Sequence, residues 1–323
     1  MDTLLVTGGA GYIGSHTVRA LTRKGYKCVV VDNLSYGHRE AVENAAFAQV
    51  DLRDKNALDA VFKQYGIDAV LHFAASSRVG ESVENPLLYY ENNVGGALNL
   101  LSVMLENGVR KIVFSSSCAV YGVPAKTPID ETSPLAPVSP YGQTKRVIEQ
   151  ILADYRAAYG LSYIALRYFN AAGASESGGI GESHAPETHL IPLVLQTILK
   201  KRGALSVFGA DYPTPDGTCV RDYVHVDDLA QAHVLALEKT DSFAGALNLG
   251  TGSGASVMQI VRACEAQTGL PCPLVIGRRR AGDPPVLTAN ARKAKEILNW
   301  EPVHSSLENI VKTAWQWESN RKF

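Results

Sequence analysis

Short apolar runs alternate with longer amphipathic ones through the first half of the chain. "TLLVT" (3–7), "KCVVV" (27–31), "FAQV" (47–50), "AVLHFA" (69–74), "KIVFS" (111–115) and "SYIALRYF" (162–169) are rich in apolar and β-branched residues. Runs without polar alternation predict strands covered on both faces. Between them, Val94, Ala97, Leu98, Leu101, Met104 and Leu105 recur at helical spacing, and so do Val147, Ile148, Ile151, Leu152 and Tyr155. Each set puts one apolar stripe against the sheet. The alternation predicts an α/β fold with a doubly wound, mostly parallel sheet.

The pattern changes after residue 170. "NAAGASESGGIGESHAPETH" (170–189) has no period and reads as a loop, and "TPDG" (214–217) reads as a turn. "VHVDDLAQAHVLALEK" (224–239) reads as a strand end, a cap at Asp227 and a helix, and "ALNLG" (246–250) as a further strand. The expected organisation is a nucleotide-binding unit over 1–173, to which 222–250 returns, and a smaller ligand-binding lobe in the remainder of 174–323.

Composition narrows the class. The 323 residues are 46% hydrophobic and 20% charged, with a formal net charge of −1, so no global attraction to nucleic acid or anionic lipid is expected. The five cysteines are odd in number and include no Cys-x-x-Cys pair, which argues against a disulfide framework or zinc knuckle. "MDTLLVTGG" lacks the basic and apolar regions of a signal peptide, and no apolar run approaches a membrane span. A cytoplasmic location is the expectation.

Candidate chemistry begins at "GGAGYIG", where Gly8, Gly11 and Gly14 follow the first strand and open the first helix. A turn without Cβ atoms lets backbone N–H groups approach a diphosphate, whose charge the helix N-terminus favours. The second strand ends in Asp32, eighteen residues after Gly14, where a carboxylate meets an adenosine ribose and repels a 2′-phosphate. NAD is therefore the expected cofactor.

"SPYGQTK" (139–145) combines a helix-starting Ser-Pro with Tyr141 and Lys145 one turn apart on the same face. An ammonium roughly 6 Å from a phenol favours its ionisation by about 2.8 kcal/mol at an effective dielectric of about 20, or roughly two pK units. The reading is a phenol brought down towards the range of a general base by this ammonium together with the positive charge of a bound oxidised nicotinamide. "FSSSCAVYG" (114–122) follows the fifth predicted strand and offers Ser117 as a hydroxyl that shares a proton with substrate.

With "VTGGAGYIGSHT", "VVDNLS", "FSSS", "SPYGQTK", "LRYFNAAGA", "ETHLIP", "GTCVRDYVHVDDLA" and "RRRAGDP" in place, the chain resembles the extended short-chain dehydrogenases/reductases over nearly its whole length, and among them the UDP-glucose 4-epimerases. The resemblance implies a Rossmann sheet, tightly held NAD, a homodimer, and interconversion of UDP-galactose and UDP-glucose by transient oxidation at sugar C4. It implies that Gly8, Gly11, Tyr12, Ile13 and Gly14 surround the diphosphate of NAD. Asp32 and Asn33 go to the ribose, Asp51 and Leu52 to the adenine, and Phe73, Ala74 and Ala75 to the groove wall. Asn92 and Ser115 lie nearby, and Tyr168 sits by the nicotinamide. Ser117 and Tyr141 handle the proton, with Lys145 as electrostatic support. For the UDP-sugar it implies Asn170, His189, Leu190, Phe208, Arg221, Arg280 and Asp283. The two arginines have forks suited to a diphosphate.

Three departures from the family pattern matter. Ser77 stands where many relatives carry a lysine, leaving Arg78 as the nearby cation. His189 replaces an amide side chain. Leu287 replaces a bulky gate residue and leaves room for an N-acetyl sugar. Sugar-nucleotide dehydratases and decarboxylases are disfavoured, because Cys118 and Ala119 stand where their carboxylates would be. A 4-epimerase of UDP-pentoses or UDP-uronic acids stays open, with a non-catalytic NAD-binding regulator as the remote alternative. Glu182, His184, Glu187 and His189 match no helical ligand spacing, so no metal is expected.

Overall fold

The structure is a computed structural model that describes residues 2–280 and 283–323; Met1 and the Ala281–Gly282 portion of "RRRAGDP" lie outside the described residues. Six predicted strands form: β1 (Thr3–Thr7), β2 (Lys27–Asp32), β3 (Ala46–Gln49), β4 (Ala69–His72), β5 (Lys111–Ser117) and β6 (Ser162–Tyr168). A seventh, Gly245–Leu249, pairs with β6, so this part of the second half returns to the first sheet. The order is Gly245–Leu249, β6, β5, β4, β1, β2, β3, and every pairing is parallel. The direction of winding reverses between β1 and β4. In doubly wound sheets that point opens a crevice at the carboxyl ends of the strands.

The unalternated strand sequences follow from two cores, one on each face. Leu4 and Val6 of β1 join Val30, Leu71 and Val113 in one cluster; Leu5 joins Val29, Val70, Ile112 and Phe114 in the other. Successive residues point to opposite faces, and both faces are buried. A third apolar cluster lies beneath Leu190–Ile198, Val257–Thr268 and Leu307–Ser319. The remaining strands are short. Asn170–Ala172 pairs with Tyr223–His225, and Val220–Arg221 pairs with both Ala255–Ser256 and Val286–Leu287.

Two local readings are refined. The apolar stripe that begins at Val94 does not continue one regular helix: Pro86–Tyr89 and Gly96–Glu106 flank a π-turn at Tyr90–Gly95. Such a turn shifts the residues inside it relative to the helix faces, Asn92 and Asn93 among them. The cap at 224–239 is His225, whose side chain accepts from the Asp227 N–H; Asp227 lies inside the first turn. Pro140–Tyr159 is as predicted. Ser139 Oγ accepts from the Gly142 N–H at 3.2 Å, and Gly160 ends the helix with φ of 70°.

Candidate functional site

A cleft of about 550 Å³ opens at the carboxyl ends of the strands. It runs from the glycine turn past Ser117, Tyr141 and Lys145 to Arg221 and Leu287. Every site residue predicted from the sequence lines it except Phe208, Arg280 and Asp283.

At one end the backbone sets the shape. Gly8 has φ of 72°, and a Cβ there would lie 2.5 Å from the Ala74 nitrogen. A Cβ on Gly14 would meet the Gly8 oxygen at 2.2 Å. Gly11 differs: its Cβ would touch only the Gly8 oxygen, at 3.3 Å, and Gly11 itself lines the cleft. Two glycines thus close the turn, and the third keeps it bare towards the cleft.

Asp32 is buried, and its carboxylate accepts from the N–H groups of Ala10 at 3.0 Å and Leu34 at 2.8 Å. Each oxygen keeps a lone pair for a ligand hydroxyl. Burial raises its pKa, and the two backbone bonds oppose that rise. Asn33 donates to Asp51 at 3.0 Å, and Arg53 grips the same carboxylate at 2.9 and 2.7 Å. The Arg53 contact holds Asp51 far below the usual carboxylate range. Tyr12 donates its phenol to the Gly173 carbonyl at 2.6 Å, tying the glycine turn to the 173–189 loop.

In the middle stand the proton-handling candidates. Ser117 ends β5 and caps the following turn by accepting from the Ala119 N–H at 3.1 Å. Tyr141 is half-buried and faces the cleft, while Lys145, one turn on, is 3% exposed. Lys145 Nζ lies 5.8 Å from the Tyr141 ring centroid and donates to the Ser115 carbonyl at 2.7 Å. The expected lowering of the phenol is reversed here. Burial drives the Tyr141 pKa well above its ordinary value, against the pull of the Ser117 hydroxyl. Burial also takes Lys145 down to about 7. Desolvation is the leading cause for both groups, and the Lys145 ammonium meanwhile donates to the Ser115 carbonyl.

One turn beyond Lys145 is Glu149, which the sequence reading missed. It accepts from Ser116 Oγ at 2.5 Å and from Arg167 Nε at 2.9 Å, and so clamps the helix to β5 and β6. Arg167 Nη1 also donates to Tyr121 Oη at 2.8 Å, and Tyr121 donates to Asn248 at 2.7 Å. Asn93 is also missed. It is 1% exposed, accepts from the Ser76 N–H at 2.8 Å and donates to Thr144 Oγ1 at 3.1 Å. The signal for Glu149 was its spacing, i+4 from Lys145 and i+8 from Tyr141. Asn93 gave none, because a π-turn is invisible in the apolar stripe.

The far end is held by charge. Arg221 donates to Asp283 at 3.1 Å and to the carbonyls of Val220 and Pro284 at 2.8 and 2.9 Å. Asp222 does not pair with it; that carboxylate accepts from the N–H groups of Thr251, Gly252 and Ala289. Arg280 stacks over Phe208 at 3.9 Å. Phe208, Arg280 and Asp283 therefore stand outside the cleft lining, engaged with one another or with Arg221. Leu287 pairs in register with Arg221 across adjoining strands and faces the cleft. His189 contacts Glu182, and Arg78 donates to the Ala185 carbonyl at 2.6 Å and lies over the Tyr36 ring. Cys118 is no nucleophile, because burial pushes its thiol up to about 12.

A parallel sheet, a bare glycine turn with an acid at the end of β2, and Tyr141–Lys145 beside Ser117 occupy one cleft. The profile of the NAD dependent epimerase/dehydratase family matches residues 4–250. The chain belongs to that family. It is 52% identical over 316 residues to the UDP-glucose 4-epimerase of Halalkalibacterium halodurans, covering 97% of this chain and 95% of that one. Among solved structures, it is similar to the UDP-glucose 4-epimerase of Brucella ovis in complex with NAD, with a TM-score of 0.95 and 50% identity over 98% of both chains. It is also similar to the UDP-Glc/GlcNAc 4-epimerase of Campylobacter jejuni, with a TM-score of 0.88 and 40% identity over 99% of both. Among the described residues, no helix is long and apolar enough to cross a membrane.

Proposed function

We propose that the chain is an NAD-dependent isomerase that interconverts UDP-galactose and UDP-glucose at sugar C4. The observation that carries this reading is one continuous cleft joining the glycine turn, the Ser117–Tyr141–Lys145 group and Arg221. The bare edge at Gly11 and the free lone pairs of Asp32 fit a dinucleotide. Gly8, Gly11, Tyr12, Ile13 and Gly14 surround its diphosphate, Asp32 and Asn33 its ribose, and Asp51 and Leu52 its adenine. Phe73, Ala74, Ala75, Asn92, Ser115 and Tyr168 line the remaining groove. When bound, NAD supplies a reversible acceptor for the hydrogen at C4.

The protein's own part is proton handling and placement. Tyr141 takes the proton of the 4-hydroxyl and later returns it, with Ser117 sharing that proton. Burial keeps the proton on the phenol in the cofactor-free protein. Added positive charge and a buried Lys145 ammonium shift the balance towards the phenolate. Glu149 and Arg167 hold the helix so that this pair keeps its position. Arg221, Arg280, Asp283, Asn170, His189, Leu190 and Phe208 anchor the UDP, which requires Arg221 to exchange Asp283 for phosphate oxygens. Cys118 and Ala119 offer no acid–base pair, which supports epimerisation over dehydration.

Half-buried Leu287 at the sugar end supports a second reading, acceptance of UDP-N-acetylglucosamine and UDP-N-acetylgalactosamine. The exposed Val79, Val83, Leu87, Tyr90 and Leu98 along residues 79–98 support a homodimer through this helical run. A nucleotide-binding part over 1–173 with 222–250, a UDP-sugar lobe in the rest, and a cytoplasmic setting complete the proposal; five free cysteines fit a reducing compartment.

The test is to incubate purified protein with UDP-galactose and no added cofactor. UDP-glucose is the expected product. Absence of conversion by protein that carries bound NAD would refute the assignment.

A further inference from the structure

Glu182, His184, Glu187 and His189 gather in space although the chain spacing gave no reason to expect it. One ligand atom from each lies within 4.8 Å of all the others. They sit on the loop between Asn170–Ala172 and the helix Leu190–Ile198. His184 Nδ1 is 3.2 Å from Glu182 Oε1 and 3.6 Å from Glu187 Oε2. His189 Nδ1 contacts the same Glu182 oxygen. The two imidazole rings meet edge-on, with centroids 5.4 Å apart and planes at 86°. Ligands at about 2.0–2.1 Å around a tetrahedral zinc ion stand about 3.3 Å from each other. A charge-assisted hydrogen bond would be shorter, about 2.7–2.9 Å. The two His184 separations suit neighbouring ligands, whereas His189 is hydrogen-bonded directly to Glu182, a contact that a bound ion replaces.

Glu187 gives an independent sign. Its side chain is 4% exposed. Oε1 accepts from the N–H groups of Thr188 and His189 at 2.7 and 2.9 Å, which fixes the carboxylate. Oε2 is buried and has no hydrogen-bond partner among the described residues, with the His184 ring as its charged neighbour, 3.6 Å away at Nδ1. A buried carboxylate oxygen without a partner is costly, and a cation removes that cost. Glu182 is just as fixed: its backbone carbonyl accepts from Trp317 Nε1 at 2.7 Å and Arg321 Nη2 at 3.1 Å.

We propose that Glu182, His184, Glu187 and His189 bind one divalent transition-metal ion of the zinc class. Two carboxylates balance the two charges of the ion, and two imidazoles select against magnesium and calcium. Four protein ligands complete a tetrahedron, so the site is structural and has no open position for chemistry. Its effect is mechanical. The Tyr12 ring meets His184 at 6.3 Å while its phenol holds Gly173. The ion therefore ties the 173–189 loop to the glycine turn and to the start of the helix carrying Leu190. Glu182, His184 and His189 line the same cleft as Tyr141, and an ion there takes His189 as a ligand in place of the UDP; the test reads metal content rather than turnover.

The purified full chain is incubated with zinc, desalted and assayed for metal by mass spectrometry; cobalt replaces zinc in a parallel sample. About one ion per chain is expected, with the visible absorption of tetrahedral cobalt and a rise in thermal midpoint on metal addition. Glu187→Gln and His184→Ala should each lose the stoichiometric ion, the cobalt spectrum and the thermal shift. Should His184→Ala fail to fold, Glu187→Gln keeps the side-chain shape and an oxygen for the backbone donors, and it carries the test alone. Wild-type protein that retains no metal would overturn the proposal and leave the cluster as a proton-sharing ion pair. Equal metal content and an unchanged cobalt spectrum in Glu187→Gln would also overturn it.

Discussion

The two ends of the cleft are built by different physics. The dinucleotide end is shaped by backbone and burial: Gly8 and Gly14 leave no room for a Cβ, and Asp32 is held by two N–H groups. The end proposed to take UDP is shaped by exchangeable charge: Arg221 lines it and rests on Asp283 and two carbonyls, while Arg280 lies over Phe208 outside the lining. A backbone-built site is complete before its ligand arrives. A charge-built site must trade partners when the ligand binds, and that trade suits a substrate that has to leave. The Tyr141–Lys145–Glu149 column stands between the two and belongs to the first kind, because Glu149 and Arg167 lock it to the sheet.

The largest effect should come from the phenol. Tyr141→Phe is expected to lower kcat by about 10²–10⁴-fold, the range of general acid–base catalysis, while bound NAD is retained on the purified protein. A near-normal rate would remove Tyr141 from the proton path. Next comes the clamp. Glu149→Gln leaves the buried Arg167 guanidinium without its counter-charge, and breaking such a pair costs about 3–5 kcal/mol. The denaturant midpoint should fall accordingly, and an unchanged midpoint would show that the column is not locked as described.

At the exchangeable end the signature is different. Arg221→Met should raise the KM for UDP-galactose by about 10–100-fold, the equivalent of a lost charged hydrogen bond of about 1.5–3 kcal/mol, with kcat little changed. A kcat loss matching that of Tyr141→Phe would erase the distinction between the two ends. The smallest effect should be at the gate. Leu287→Tyr is expected to depress kcat/KM about 10-fold for the N-acetyl sugar and to spare UDP-galactose, near the lower end of the roughly 10–200-fold that a single methylene is worth in a pocket. Equal losses on both substrates would place the gate elsewhere.

The same division explains what could be read from the sequence. Strand runs, glycines and the Ser-Pro helix start act locally, so residues 3–7, 8–14 and 139–145 were legible as they stand. Leu4 and Leu5 enter opposite cores because neighbouring side chains alternate across the sheet, and that alternation is a property of any strand. What depends on distant partners was not legible. The sequence places Lys145 beside Tyr141 but does not show how deeply the phenol is desolvated, and in the cofactor-free protein that burial raises its pKa. Asn93 was hidden by the π-turn at Tyr90–Gly95, and the Arg221–Asp283 pair spans 62 residues. Glu182, His184, Glu187 and His189 meet through a loop without period, where spacing carries no information about distance.

The most direct test of the central claim follows the hydrogen at C4. UDP-galactose deuterated at C4 is incubated with the purified protein in ordinary water, and the UDP-glucose formed is examined by NMR. Retention of deuterium at C4 is expected, because the same hydrogen is removed and returned within one closed cleft while Tyr141 handles only the hydroxyl proton. Loss of the label to solvent would contradict the account and point to direct deprotonation at carbon.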